Sequence, residues 1–249
     1  LATCEITTPS SITADEARMR LTQVMGALST DAGMPGVLVP AAAVLSCVVP
    51  ALERPWKAAL SRTCTGRVLT VGPGLKTGMP VHYDDPAEIG PDRIADAVAA
   101  RAVYGSPCIV IDLGTTTNIE VIDAHGTFVG GVIAPGLALG ARSLSAAAAR
   151  LPQVEPSAPT HVIGRNTREA MRSGVVLGEV ARIDGMLDMV LAEMRSTKAA
   201  GEGSVPIVIT GDDAEALAAL VGHSLTVDDA LTLRGLAELY RINQKPRRA

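Results

Sequence analysis

Four short stretches of this sequence gather side chains able to do chemistry. The first is Asp112-Leu113-Gly114-Thr115-Thr116-Thr117. An apolar run enters at Cys108, meets a carboxylate, breaks on a glycine and three hydroxyls, then resumes as a second apolar run. A glycine at a hairpin tip lets a phosphate approach the backbone closely. The hydroxyls of Thr115 and Thr116 can donate to phosphate oxygens, and a carboxylate at a strand end can hold a cation directly or through water. An ordinary β-turn with a surface Asp is the plain alternative. The apolar flanks argue against it, because a charge set among them needs a partner or an ion.

The second stretch is Tyr83 to Asp96, in which Asp92 and Arg93 stand where a loop enters a helix. The backbone N–H groups of a helix start favour an anion. Asp92 has the chemistry to take a proton from a substrate hydroxyl, and Arg93 to clamp a carboxylate or phosphate. The alternative is that Asp92 caps the helix and Arg93 is solvated. In the third stretch, Gly164 to Met171, Asn166 and Thr167 present polar groups at another helix start, or serve as a plain cap. The fourth, Thr210-Gly211-Asp212, follows an apolar strand and precedes a helix; it suits a nucleotide contact or an ordinary turn. The four histidines are scattered, and none is assigned a role.

The elements that must position these groups alternate. A helix over "SITADEARMRLTQVMGAL" is capped by Thr13, with Glu16 at capping-box spacing and Ala17, Leu21, Val24 and Leu28 on one face. A buried strand in 41–50, a helix, a second strand and a Gly/Pro-rich loop (72–86) lead to the helix "DRIADAVAARAVY". After a break at 105–107 come antiparallel strands over 108–133, with a hairpin turn at 123–126, then a helix. A short strand and a long helix capped by Thr167 follow, then the strand "VPIVITG" and two helices. This alternation is that of an α/β protein, with a boundary expected at 105–107.

Composition narrows the classes. Hydrophobic residues make up 47% and aromatics 2%, so the core is built from Ala, Val, Leu and Ile. A net charge of −4 offers no basic surface for nucleic acid, and Trp56 and Phe128 make no base-stacking platform. The four cysteines form no CxxC pair, which speaks against a zinc site or a disulfide framework and for a reducing cytoplasm. The most apolar stretch, 36–52, carries two prolines and is too short to span a membrane.

Taken in order, the segments "LSCVVPAL", "VGPGLKTGMPVHYDDPAEIGPDR", "DLGTTTNIEVIDAHGTFVGGVIAPG" and "VIGRNTREAMRSGVVLGEVARIDGML" resemble the type III pantothenate kinase family, within the actin-like acetate and sugar kinase superfamily. The resemblance implies two ribonuclease-H-like domains, 1–106 and 107–249, with the site in the cleft between them. It implies transfer of the γ-phosphoryl of ATP to pantothenate, the first step of coenzyme A synthesis. Mg²⁺ with ATP, a monovalent cation (K⁺ or NH₄⁺) and a homodimer whose second subunit helps complete the substrate site are implied too. On the matching positions, Asp92 is the proton acceptor, and Tyr83, Gly90, Asp92, Arg93 and Thr167 bind substrate. Gly114 and Thr115 meet ATP, and Asp112 holds the monovalent cation. A non-catalytic accessory relative, or a kinase of another small hydroxy substrate, are the competing expectations.

The departures are specific. The family's opening strand and Asp-x-Gly-Asn-Thr loop have no match in these 249 residues, and the chain starts on Leu1 rather than Met, so a segment upstream of Leu1 is expected. Pro91 stands where the family has Ala, which is harmless at the first helical position but alters the site if it falls elsewhere. Asp212 follows Gly211 where the family prefers a second Gly, and it should point away from any bound ATP. Arg165 for Lys keeps the charge.

Overall fold

The structure is a computed structural model and describes residues 3–244. Leu1 and Ala2, on which the expectation of an upstream segment turns, lie outside the described residues. Helix α1 (Ala14–Asp31) carries the capping box read from the sequence: Thr13 accepts from the Glu16 N–H, and the Glu16 carboxylate accepts from the Thr13 N–H at 2.8 Å. Its buried face is Ala17, Met25 and Ser29, a small rotation from the expected one. Strands β1 (Ala43–Leu45) and β2 (Val68–Thr70) pair in parallel and flank α2 (Pro50–Thr63). β1 has three half-buried residues rather than a longer buried run, because 46–49 must turn into the helix that Pro50 opens. The Gly/Pro-rich loop then leads into α3 (Pro91–Tyr104).

Beyond it lies a five-stranded mixed sheet. β3 (Cys108–Leu113), β4 (Thr116–Ile122) and β5 (Phe128–Pro135) run antiparallel, while β6 (Ile207–Gly211) and β7 (Thr226–Val227) run parallel to β3, in the order β5-β4-β3-β6-β7. This is the mixed α/β sheet expected of a ribonuclease-H-like unit. Helices α4 (Leu137–Ala147), α5 (Thr167–Arg172), α6 (Gly178–Ser196), α7 (Ala214–Ala218) and α8 (Leu231–Ile242) surround it, with one wide π turn at Ser173–Leu177 joining α5 to α6. The strand expected before α5 is absent; residues 152–166 are irregular. The cap of α5 is Asn166, not Thr167: the Asn166 side chain accepts from the Glu169 N–H at 3.0 Å, and Asn ranks above Thr as a helix cap.

Strand alternation sorts the sheet into two faces. Ile109, Ile111, Ile119, Val121 and Ile209 form one apolar cluster with Ile183 and Leu187 of α6 and Leu217 of α7. Cys108, Val110, Ile122, Phe128 and Val208 form the other, with Ile94 and Val98 of α3 and Leu231 and Leu239 of α8. By the same alternation, Asp112, Asn118, Glu120 and Thr210 point to the side covered by α3 and α8. Three polar residues therefore line up across the ends of neighbouring strands, since Asp112 is in register with both Asn118 and Thr210.

Candidate active site

The N-terminus of α3 and this polar row form the candidate site. Gly90 is the N-cap and Pro91 the first helical residue. Pro91 thus occupies the one helical position where its missing N–H removes nothing and its fixed φ suits the chain. Asp92 follows in the first turn, where its Oδ1 accepts from the Arg93 N–H at 2.9 Å. The carboxyl folds back over the cap, and a side chain at position 90 would collide with it. Among the described residues Oδ2 of Asp92 has no hydrogen-bond donor, so one oxygen is tethered and one is left for chemistry.

Arg93 is not solvated. It is 5% exposed, its Nε donates to Glu120 Oε1 at 2.9 Å, and its Cζ lies 5.7 Å from the centre of the Phe128 ring. Tyr83 packs on the same ring, 6.1 Å between centroids. The loop that carries Tyr83 is tied to β5: His82 donates its N–H to Phe128 O, and Phe128 donates to Pro80 O.

Charge is concentrated under α3. Asp96, one turn into the helix, is fully buried, and neither carboxyl oxygen has a hydrogen-bond partner. Burial pushes its pKa up to about 8, and the charges of Asp112 and Asp92 push the same way while the nearby Thr232 hydroxyl opposes them. Burial also raises Asp112 to about 6, with help from the Asp92 and Asp212 charges and against the Asn118 amide. Glu120 is driven well above the usual carboxylate range by burial, with Arg93 pulling the other way. Of the two fully buried acids, Asp96 lacks a cation and therefore takes up a proton first, leaving Glu120 to Arg93. The charge of Asp92 thus bears on both Asp96 and Asp112.

Two openings touch the elements that carry this group, one at the start of α3 and one at the end of β6, and neither is lined by Asp92, Arg93, Asp112 or Glu120. One, of about 210 Å³, is lined by Val71, Leu75, Val81, Ile89, Pro91 and Ile94. The other, of about 600 Å³, is lined by Thr210, Gly211, Asp212, Glu215, Asp229 and Thr232. Asp212 faces into this second opening rather than away from it, and its charge reaches Asp112. Gly211 takes φ +98°, which turns the chain over the end of β3 so that the Asp212 N–H donates to Leu113 O at 3.1 Å. Gly114 and Thr115 are exposed at the hairpin tip beside this turn, and the Gly136 N–H donates to Thr115 O at 3.0 Å. Thr167 is exposed on α5, and among the described residues no hydrogen bond joins it to Asp92, Arg93 or Asp112.

The residues present suit a cation brought by the substrates better than a resident metal. Among the described residues no three His, Cys, Asp or Glu side chains are grouped to hold a metal by themselves. Among the described residues Asn118 Oδ1 is buried without a hydrogen-bond partner beside Asp112, and the charges that raise Asp112 are negative, a combination that favours a positive charge there.

Sequence reasoning passed over Asp96, Asn118 and Glu120. The signal was there as acids and amides interrupting apolar periodicity: Asn118 and Glu120 two apart in "TTNIEVI", and Asp96 inside the Ala/Val run of α3.

Comparison with known proteins places the chain in a family. The sequence model described as Type III pantothenate kinase matches residues 1–189. The chain belongs to the type III pantothenate kinase family. A type III pantothenate kinase from Koribacter versatilis is 42% identical over 201 residues, covering 81% of this chain and 71% of that protein. One from Symbiobacterium thermophilum, named type III pantothenate kinase 2, is 39% identical over 247 residues, covering 98% and 89%. A solved structure from Campylobacter jejuni, described as a "conserved putative Baf family transcriptional activator", is 22% identical, covers 79% of this chain and 80% of that one, and superposes with a TM-score of 0.53, a likeness of fold.

Proposed function

We propose that this chain transfers the γ-phosphoryl group of ATP to the primary hydroxyl of pantothenate, giving 4′-phosphopantothenate, the first step of coenzyme A synthesis. Family membership supports the reaction, and one structural observation supports the assignment of roles: Asp92 opens the helix that packs on the sheet face carrying Asp112, close enough for its charge to add to the burial that raises Asp112. In this reading Asp92 holds the acceptor hydroxyl by its untethered oxygen and takes the proton as the oxygen attacks phosphorus. Tyr83, Gly90 and Arg93 bind the rest of the acceptor. Gly114 and Thr115 cradle the nucleotide phosphates, where Mg²⁺ arriving with ATP supplies charge neutralisation. Asp112 would hold K⁺ or NH₄⁺, with the oxygens of Asn118 and Thr210 beside it. The rate gain comes from positioning and from compensation of charge.

We read the chain as two units meeting at 106/107, although α3 packs on the sheet of the second. Thr167, exposed and remote from hydrogen-bonding reach of Asp92, fits a homodimer in which each copy offers it to the other's substrate site. No helix among the described residues is long and apolar enough to cross a membrane, and all four cysteines are free, which agrees with a cytoplasmic enzyme. The test is ADP release by the protein with ATP and Mg²⁺, with and without pantothenate, and with and without K⁺ or NH₄⁺. Pantothenate-dependent release that rises with the monovalent ion is expected. Absence of turnover in every condition rejects the kinase reading in favour of the non-catalytic one.

A further inference from the structure

We infer that Glu120 is a positioning residue for substrate recognition: from β4 it fixes the guanidinium of Arg93, and it acts on the acceptor only through that contact. The inference rests on the reading of Arg93 as part of the pantothenate site. An arginine in the first turn of a helix ordinarily reaches into water and samples many rotamers. Arg93 instead sits in a slot built by several elements. Glu120 of β4 takes its Nε, and Phe128 of β5 lies under its plane. The bare backbone of Gly131, which the close approach of Ile119 O already requires, also borders the slot, where a Cβ would lie 3.1 Å from Arg93 Nη2. Tyr83 closes the slot against Phe128, with its hydroxyl close enough to favour the guanidinium charge.

A carboxylate at position 120 is otherwise hard to explain. Its neighbours on the same strand face are Val110 across the register and Ile122 two residues on, both fully buried, with Asn118 two residues back and the acids Asp96 and Asp112 near enough to disfavour its charge. An apolar side chain would suit that place, and a buried ion pair is seldom the more stable choice. Among the described residues Oε2 of Glu120 has no hydrogen-bond partner, which leaves Arg93 as the carboxylate's one hydrogen-bonded contact. Among the described residues no protein acceptor is hydrogen-bonded to Nη1 or Nη2 of Arg93, so engaging Nε leaves the two-pronged end for a planar anion. The next residue back is Asp92, whose carboxyl is oriented by the Arg93 N–H. One buried carboxylate thereby sets the angle of an anion clamp adjoining the proposed base.

The experiment compares the whole protein with its Glu120→Gln and Glu120→Asp variants in steady-state kinetics, well below their melting temperatures. Gln keeps the length and removes the charge. For Glu120→Gln the KM for pantothenate should rise by about tenfold or more, the loss expected when a charged hydrogen bond is weakened. Its kcat should stay within about threefold of the parent and its KM for ATP should be unchanged. Asp, which restores the charge at shorter reach, should recover part of the affinity. A purely structural Glu120 gives the opposite split, with kcat falling alongside the folded fraction and both KM values unchanged; that result overturns the inference. If the parent protein turns over no pantothenate, the functional reading fails by itself. The clamp is then judged in ¹⁵N-arginine-labelled protein by the Nε–H signal that Arg93→Lys removes. Faster solvent exchange of that signal in Glu120→Gln upholds the inference, and unaltered exchange ends it.

Discussion

The Pro91 side of the site and the Thr210 side treat charge in opposite ways. On the Pro91 side a small, mostly apolar opening adjoins a helix start, and the one guanidinium is locked by Glu120, Phe128 and Tyr83. On the Thr210 side the opening is nearly three times larger and ringed by Asp212, Glu215 and Asp229 beside hydroxyls and a glycine turn. Fixed side chains and little water suit the recognition of one shape. An open acidic mouth suits a ligand that arrives with its own cations, because bare phosphates would be repelled there. In the proposed function this difference assigns selectivity to the α3 side and charge compensation to the strand ends, with Asp92 carried by the one and Asp112 by the other.

The comparison can be broken most severely at Asp92. Asp92→Asn should lower kcat by about 10² to 10⁴, the usual contribution of a positioned base, while the circular dichroism spectrum stays that of the parent. Retained turnover would remove Asp92 from that role. Next in size, Asp112→Ala should abolish the response to K⁺ or NH₄⁺ and lower kcat by about tenfold or more; titration of the ion against rate checks it, and an undiminished response moves the ion elsewhere.

Asp96 gives an effect on stability. Its folded-state pKa lies above that of an unfolded Asp, so it favours folding most below about pH 4, and that contribution drains away as pH rises to about 8. Asp96→Asn cannot ionise. In urea unfolding the variant should therefore gain on the parent steadily from pH 5 to pH 8 and hold a constant advantage beyond, reaching a few kcal/mol. A difference that does not vary with pH would show that Asp96 ionises freely. The smallest expected effect is that of Asp212→Asn, which should lower the KM for ATP by about two- to fivefold and shift the acid limb of the rate profile to lower pH, as Asp112 loses a repelling neighbour. An unchanged KM would mean that phosphates bind away from that mouth.

Much of this arrangement was legible in the sequence. The capping box of α1, the hairpin at 123–126, the break before Cys108 and the Gly/Pro-rich loop carry local signals that the structure repeats. So does the start of α3, where Pro91 could be read as either harmless or disruptive until its helical position was known. What was not legible depends on contacts distant in sequence. Arg93 looks like a solvated helix-start residue because its partner, Glu120, is 27 residues away and its slot includes a glycine on a third element. β7 was missed because two residues carry no periodicity, and the cap of α5 was misplaced by one residue because Asn166 and Thr167 are both good caps. Asp212 was expected to turn away from any bound ATP; the Gly211 turn pairs its N–H with Leu113 O, and the residue lines the opening beside Thr210.

The most direct measurement is phosphorus-31 NMR of the protein incubated with ATP, Mg²⁺, K⁺ and pantothenate. The account predicts ADP together with a new phosphomonoester signal coupled to the methylene protons of the pantothenate primary alcohol. ATP that remains intact, or that yields only ADP and inorganic phosphate, would contradict it.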